Sequence, residues 1–506
     1  MADAAIAMAS HIPSRRTRSP TCVAGLSLVV ALAACEGDGR KPGVGPTTPP
    51  AHAQPPDLRA LLGLESQPDI VLMSIDTLRA DHLGCYGYGR DTSPNLDRFA
   101  DEAVLFEHAL SQAPVTAPSH MSLFTGLTPA VHRVYNHSDK YPNTALAPQI
   151  PTLAELLRAH GYLAFGIHGG GNVGPELGFG RGFESYSGKF PWYDLRSAKD
   201  PMRPLRASIE RAAQEDKPLF LFLHHYVVHD PYVHGPEAER LRYLEHPVEG
   251  LPLRERDLTG DAAFANRRDR FWSNVDPGDP RHVEHIVALY DGGIRYADWV
   301  FGRIEALLRE QGIWDDALVI VLSDHGEEFW EHGGTLHRRL FVETLHVPLI
   351  VKFPRARYAA TRIARPVRLF DVMPTLLGAA GIAPPDGLQA TSLSPLLAGT
   401  SGYDPLIPSH ADHKPDVLRL QHGGFAYSNQ ASNGTREWLF DLRTDPAERT
   451  NLAAKRRDRL EAMRATVEML HEADLVLMSR LDSHQGEVTV PDAEGIEQLR
   501  ALGYVE

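Results

Sequence analysis

Asp76 follows the apolar run 70–75, and Asp324 with His325 follows a second apolar run, 318–322. Two carboxylates and an imidazole at strand-like ends are hard and borderline donors suited to one divalent ion. Such an ion has a clear use on an anionic ester. The negative charge of a phosphoryl or sulfuryl ester repels nucleophiles, so hydrolysis calls for a metal or cationic groups on the oxygens and an activated attacking oxygen. The chain's 25 histidines invite a search for more such chemistry, although most must be ordinary packing residues.

These residues need elements that bring them together. Runs 70–75, 162–167, 219–223 and 318–322 are short, apolar and followed at once by Ser, His or Asp in a loop, with helical stretches between them. That alternation predicts an α/β fold built on a large, mainly parallel sheet flanked by helices. Ligands bind outside the carboxyl ends of such strands, where these polar residues converge. Residues 417–442 read instead as polar and aromatic hairpins with Asn433-Gly434, and 452–481 as helical, predicting a small antiparallel sheet plus helix. Residues 254–281, charged and punctuated by Pro and Gly, read as an excursion or substrate loop.

A chain of 506 residues is too long for one core of usual size, so a large catalytic domain with a smaller appended piece is expected. Its formal charge of -14, with no basic cluster past residue 40, argues against nucleic acid as a partner. Three cysteines, Cys22, Cys35 and Cys85, supply no disulfide framework. Arg15, Arg16 and Arg18 precede a short apolar stretch that ends Leu32-Ala33-Ala34-Cys35, the layout of a secretory signal with a bacterial lipobox. Acylation of Cys35 would tether an exported protein to a membrane of the cell envelope; the alternative is plain cleavage near Ala34. The expected division is 1–35 signal, 36–66 flexible Pro/Gly-rich linker, 67–400 catalytic domain and 401–506 C-terminal subdomain and tail.

Residues 69–87, DIVLMSIDTLRADHLGCYG, resemble the opening strand and first metal loop of sulfatases. SPNLDRFA, APVTAPSHMSLFTG, GFGRGFESY, VHDPY, LSDHGE, VPLIV, DVMPTLLGAAGI and LFDLRTDPAERTNLA follow in the order of that family's landmarks, over roughly 67–453. The resemblance implies an α/β sandwich related to alkaline phosphatase, a metal-bound nucleophile, and cleavage of sulfate or related esters. It places the metal at Asp76, Asp324 and His325, which outweighs reading Asp76 as a turn cap or His325 as a core histidine. Many sulfatases carry a second aspartate after the first and an asparagine after the later one, a calcium set. Here Thr77 and His325 stand in those places, so manganese or zinc is favoured over calcium.

Thr116, in Thr116-Ala117-Pro118-Ser119-His120, occupies the slot where the family's signature carries the cysteine oxidised to formylglycine. Threonine cannot become that aldehyde. A threonyl sulfate would need hydrolysis at sulfur, whereas a threonyl phosphate can be cleared by in-line attack of water, as in related phosphodiesterases and phosphotransferases. Thr116 is thus read as nucleophile and metal ligand, with helix N-capping as the plain alternative. The same comparison sets His120 in place of the signature arginine, as a cationic or hydrogen-bonding group, and His337 and His168 where the family has lysines. His229 matches the histidine of H-x-P-Y and is the candidate general acid. Asp230 and His234 have the D-x-x-x-H spacing of a second zinc in superfamily phosphodiesterases, so one metal is expected with two as the alternative.

The favoured function is a metal-dependent hydrolase of phosphate or phosphonate esters acting through Thr116 on an anionic substrate from a glycan or the cell envelope. A true sulfuric ester hydrolase without formylglycine is the second reading, and a non-catalytic binder of anionic glycans the third.

Overall fold

The computed structural model describes residues 55–138, 140–196, 199–253, 257, 267–432, 434 and 436–501; the expected signal and lipobox lie outside them. β1 (Ile70–Ile75) is buried along all six residues, which is why it reads as an unbroken apolar run rather than an alternating one. It pairs in parallel on one side with β6 (Leu219–His225) and on the other with β7 (Leu318–Leu322). Beyond β6 lie β4 (Leu163–Ile167) and β5 (Ser185–Ser187), also parallel. Beyond β7 lie β11 (Leu349–Lys352), β2 (Val104–Phe106) and β12 (Thr361–Ile363), with β11 antiparallel to both its neighbours. The eight-stranded sheet is therefore mixed and mainly parallel.

Alternation of side chains splits each central strand between two cores. Ile70, Leu72, Phe220, Phe222, Ile320 and Leu322 pack under helices Thr116–Thr125, Leu153–Ala159 and Val372–Ala380. Val71, Met73, Leu221, Leu223, Val319 and Val321 pack under the helix Pro280–Glu310. That helix starts cleanly because Asp279 accepts from Arg281 N and Pro280 needs no partner in the first turn. The result is a three-layer sandwich whose strands β1, β6 and β7 end on one side.

The small strands are β3 (Ala109–Leu110), β10 (His346–Val347) and β13 (Val367–Arg368) in one sheet, and the hairpin β8 (Glu328–Phe329) with β9 (Thr335–Leu336). At the C-terminal end β14 (Ile407–Ala411), β15 (Lys414–His422), β16 (Phe425–Ser428) and β17 (Trp438–Asp441) form an antiparallel sheet. Helix Arg457–Arg480 covers it, seating Leu460, Met463 and Val467 on Leu418, Leu420, Phe425 and Leu439. The small sheet is docked on the catalytic core, since His410 N donates to Gln112 O at 2.8 Å and Ser409 Oγ to Ser111 O at 2.6 Å.

Two details differ from expectation. The stretch expected to be linker contains a helix, Leu58–Leu62, capped by Asp57 and ended by Gly63 at φ 67°, with Leu58 and Leu62 buried in the core. Its composition looks like linker because a five-residue helix, even with three leucines, is too short for a periodic signal. Within 254–281 the described part carries the short helix Arg267–Ser273 and the start of the long helix at Pro280. Among the described residues no helix is long and apolar enough to cross a membrane.

Candidate active site

The loops after β1 and β7, the first turn of the helix Thr116–Thr125 and the end of β6 meet at one buried point. Asp76 leaves β1 with its backbone N held by His225 O at 3.1 Å, and Thr77 turns the chain at once at φ 58°. Thr116 is the first residue of its helix, with Val115 in the capping position. Its side chain is therefore not a cap: Thr116 Oγ1 donates to Asp76 Oδ2 at 3.2 Å and lies 3.4 Å from His325 Nε2. The next amide, Ala117 N, is met by Asn136 Oδ1 at 2.8 Å.

Asp76 and Asp324 face each other in the interior, both fully buried. His325 Nε2 lies 3.4 Å from Asp324 Oδ2 and 3.9 Å from Asp76 Oδ1, and His224 Nε2 lies 3.4 Å from Asp76 Oδ2. Neither Asp76 Oδ1 nor Asp324 Oδ2 has a hydrogen-bond partner. Burial first, and then the facing Asp324 carboxylate, hold Asp76 well above the usual carboxylate range, and burial pushes Asp324 up to about 7. Burial also keeps His224 and His325 well below their usual value, so both imidazoles are neutral, the form that ligates metals. Orphaned carboxylate oxygens next to neutral imidazoles fit a divalent cation, which would relieve the repulsion that the pair otherwise carries. Asp76, Asp324 and His325 offer donor atoms that all lie within 4.8 Å of one another.

A second group lies next to the first. His229, Asp230 and His337 likewise bring donor atoms within 4.8 Å, and the His337 ring stands 4.5 Å from that of His325. His229 Nδ1 donates to Asp230 O at 2.7 Å, and His337 Nδ1 lies 3.1 Å from Glu327 Oε1. Asp230 is thus gathered with His229 and His337, while His234, its expected partner, stacks on Tyr193 at 4.5 Å between ring centroids.

Burial bears on two further candidates. His120 is fully buried and burial pulls it down to about 4, so it sits here as a neutral hydrogen-bonding imidazole. Its Nε2 meets Ser74 Oγ at 2.9 Å and its Nδ1 meets Thr116 O at 3.0 Å, tying β1 to the helix that carries Thr116. His168, also lowered to about 4 by burial, stacks on Tyr186 at 4.3 Å and accepts from Gly170 N at 3.0 Å; it belongs to neither of these donor groups nor to a third, His120, His224 and Asp324.

His224 and Glu327 were missed. His224 directly follows the run 219–223, so the rule that picked out Asp76 applies to it equally; Glu327, in Asp324-His325-Gly326-Glu327, had no signal beyond its nearness to the metal motif.

A buried hydroxyl between acidic strand ends and neutral imidazoles, on a sandwich of this topology, defines a hydrolase of anionic esters. The chain belongs to the sulfatase family: residues 68–382 match the model described as Sulfatase. It is 26% identical over 387 residues to iduronate 2-sulfatase of Homo sapiens, covering 66% of this chain and 69% of that one. It is 24% identical over 430 residues to Delta 4,5-hexuronate-2-O-sulfatase of Bacteroides thetaiotaomicron, covering 77% and 85%. The fold is that of phosphonate monoester hydrolase of Agrobacterium radiobacter, with a TM-score of 0.61 at 22% identity over 82% of this chain and 96% of that one.

Proposed function

We propose that this chain hydrolyses phosphate or phosphonate esters with Thr116 Oγ as the nucleophile, a phosphodiesterase-like reaction on a sulfatase fold. The observation that carries the reading is the Thr116 hydroxyl itself, buried at a helix start, 3.2 Å from Asp76 Oδ2 and 3.4 Å from His325 Nε2. Asp76, Thr116, Asp324 and His325 would hold one divalent ion, manganese or zinc ahead of calcium. When bound, that ion supplies charge to lower the hydroxyl pKa and to neutralise the ester oxygens.

Thr116 Oγ attacks phosphorus and the proton it sheds is accepted by Asp76 Oδ2, its hydrogen-bond partner. His229, as the imidazolium, protonates the leaving oxygen from Nε2, its Nδ1–H being held by Asp230 O. Water attacking in line gives one proton to the His229 imidazole, Asp76 returns its proton to the Thr116 oxygen, and the phosphate or phosphonate product leaves. His120 positions Thr116 through its backbone carbonyl and His337 takes its bearing from Glu327. A second ion held by His229, Asp230 and His337 is the alternative site composition, supported by the clustering of their donor atoms.

The second reading, a sulfuric ester hydrolase, is favoured by the relatives' activities. Their substrates, as named, support an anionic glycan ester as substrate class here. We further infer export and lipid anchoring through Cys35, with the substrate drawn from a glycan or the cell envelope. The deciding assay compares aryl sulfate, phosphodiester and phosphonate substrates with manganese, zinc or calcium, for wild type and Thr116→Ala. Phosphoester or phosphonate turnover lost in Thr116→Ala supports the reading. Sulfatase activity indifferent to that substitution overturns it, and silence on every substrate favours a binder.

A further inference from the structure

A second cleft, of about 600 Å³, opens where the C-terminal sheet meets the small sheet of β3, β10 and β13, and none of the site residues named above lines it. Its size lies in the range of small-molecule sites and is far larger than an inorganic ion needs. Three guanidinium groups line it, Arg365, Arg419 and Arg443, each with a carboxylate beside it, Asp404, Glu448 and Asp441 in turn. His108 and His346 also line the cleft, but burial pulls both below their usual value, so neither imidazole adds charge to it.

Arg419 is the anchor. It is 1% exposed, and its Nε and Nη2 are committed to Glu448, with Gln421 Oε1 also accepting from Nη2 at 3.1 Å. Its Nη1 is buried without an acceptor, as is His422 Nδ1 on the same lining. Native interiors rarely leave a guanidinium N–H unmet, and an incoming oxyanion is the group that would meet it. Arg365 donates to Tyr403 O at 2.9 Å and lies 3.8 Å from Asp404, while Arg443 pairs with Asp441 at 2.7 Å, so both are placed at the rim by weak, exposed contacts. Ile407, Leu442, Pro366, Pro405 and Pro446 supply apolar wall.

We propose that this cleft is a binding site for a small organic carboxylate, its carboxylate met by the arginines and its body by the apolar wall. Planar, bidentate pairing is what guanidinium offers a carboxylate, and the walls distinguish an organic acid from a bare ion. The site goes beyond the chemistry at Thr116 and does not depend on it.

The test is calorimetric titration of the purified chain with benzoate, D-glucuronate, inorganic phosphate and inorganic sulfate. It is repeated on the double variant Arg365→Ala with Arg443→Ala. Arg419 is left intact because removing it would strand buried Glu448. Saturable binding of benzoate or glucuronate, weakened about tenfold or more in the double variant with hydrolysis unchanged, is the expected result, and the better of the two tells an aromatic from a uronic acid. If the double variant does not fold, Arg443→Ala alone, whose side chain is 61% exposed, is expected to weaken binding about threefold. No saturable carboxylate binding, binding indifferent to both variants, or binding of phosphate or sulfate in preference to either acid overturns the proposal.

Discussion

Thr116 Oγ1 and Asp76 Oδ2 meet at 3.2 Å, joining the first turn of a helix to the end of the central strand. If that hydroxyl is the nucleophile, Thr116→Ala should lower kcat by about a thousandfold or more, and Thr116→Ser should retain most of the activity. Steady-state kinetics on the best ester substrate checks this, with melting curves showing that the fold survives.

Asp76 and Asp324 make the metal-free protein anomalous in its pH response. Both carboxylates are raised in the folded state, Asp324 to about 7, so between the ordinary carboxylate value and about 7 the folded chain holds protons that the unfolded chain has shed. Stability without metal should therefore fall as pH rises through that window. Asp76→Asn should stabilise the chelator-treated protein at pH 8 by about 1–3 kcal/mol while abolishing the response of the melting temperature to added metal. Urea titrations with and without chelator give both quantities.

His332 and Glu343 pair at 3.1 Å, with the His332 ring stacked on that of Phe341. Burial pulls His332 down, but Glu343 and Glu328 outweigh it and leave the imidazole raised. A raised histidine stabilises fully below its unfolded value and loses that contribution as pH rises through its folded one. Glu343→Gln should thus cost on the order of 1 kcal/mol at pH 6 and little at pH 9, read as the difference in urea midpoint from wild type.

Much of this was legible in the sequence, and the misses share a cause. β1, β6 and β7 are buried on both faces, and such strands announce themselves as apolar runs with their polar termini in plain view; Asp76, Asp324 and His325 followed from that. The neutrality of His120 and the stacking of His168 on Tyr186 did not, because the charge of a histidine is set by burial and ring neighbours contributed by distant segments. His234 illustrates the limit of spacing: four residues from Asp230, it turns to Tyr193, whereas His337, more than a hundred residues on, joins Asp230. Thr116 suited a capping role by residue type, yet Val115 takes the cap and frees the hydroxyl for Asp76.

Arg419 and Glu448 form an ion pair with both side chains at or below 1% exposure, and Glu448 Oε2 also accepts from Val342 N at 3.0 Å. Arg419→Met strands a carboxylate in the interior and should cost about 3–5 kcal/mol. Replacing both residues by apolar ones of similar volume should restore much of that loss, leaving Val342 N unmet. A double-mutant cycle in urea separates the pair from its parts.

β1 is central to the sheet, and its partners β6 and β7 arrive some 150 and 250 residues later in the chain. Half of the donor set is thus made before the other half exists. A chain interrupted before residue 324 holds no donor group complete, and one interrupted before residue 337 still lacks the group that His337 closes; contacts of such long range also make folding slow. If these groups do the chemistry proposed for them, hydrolytic power should come only with the whole domain, leaving a nascent or truncated copy inert toward the esters around it.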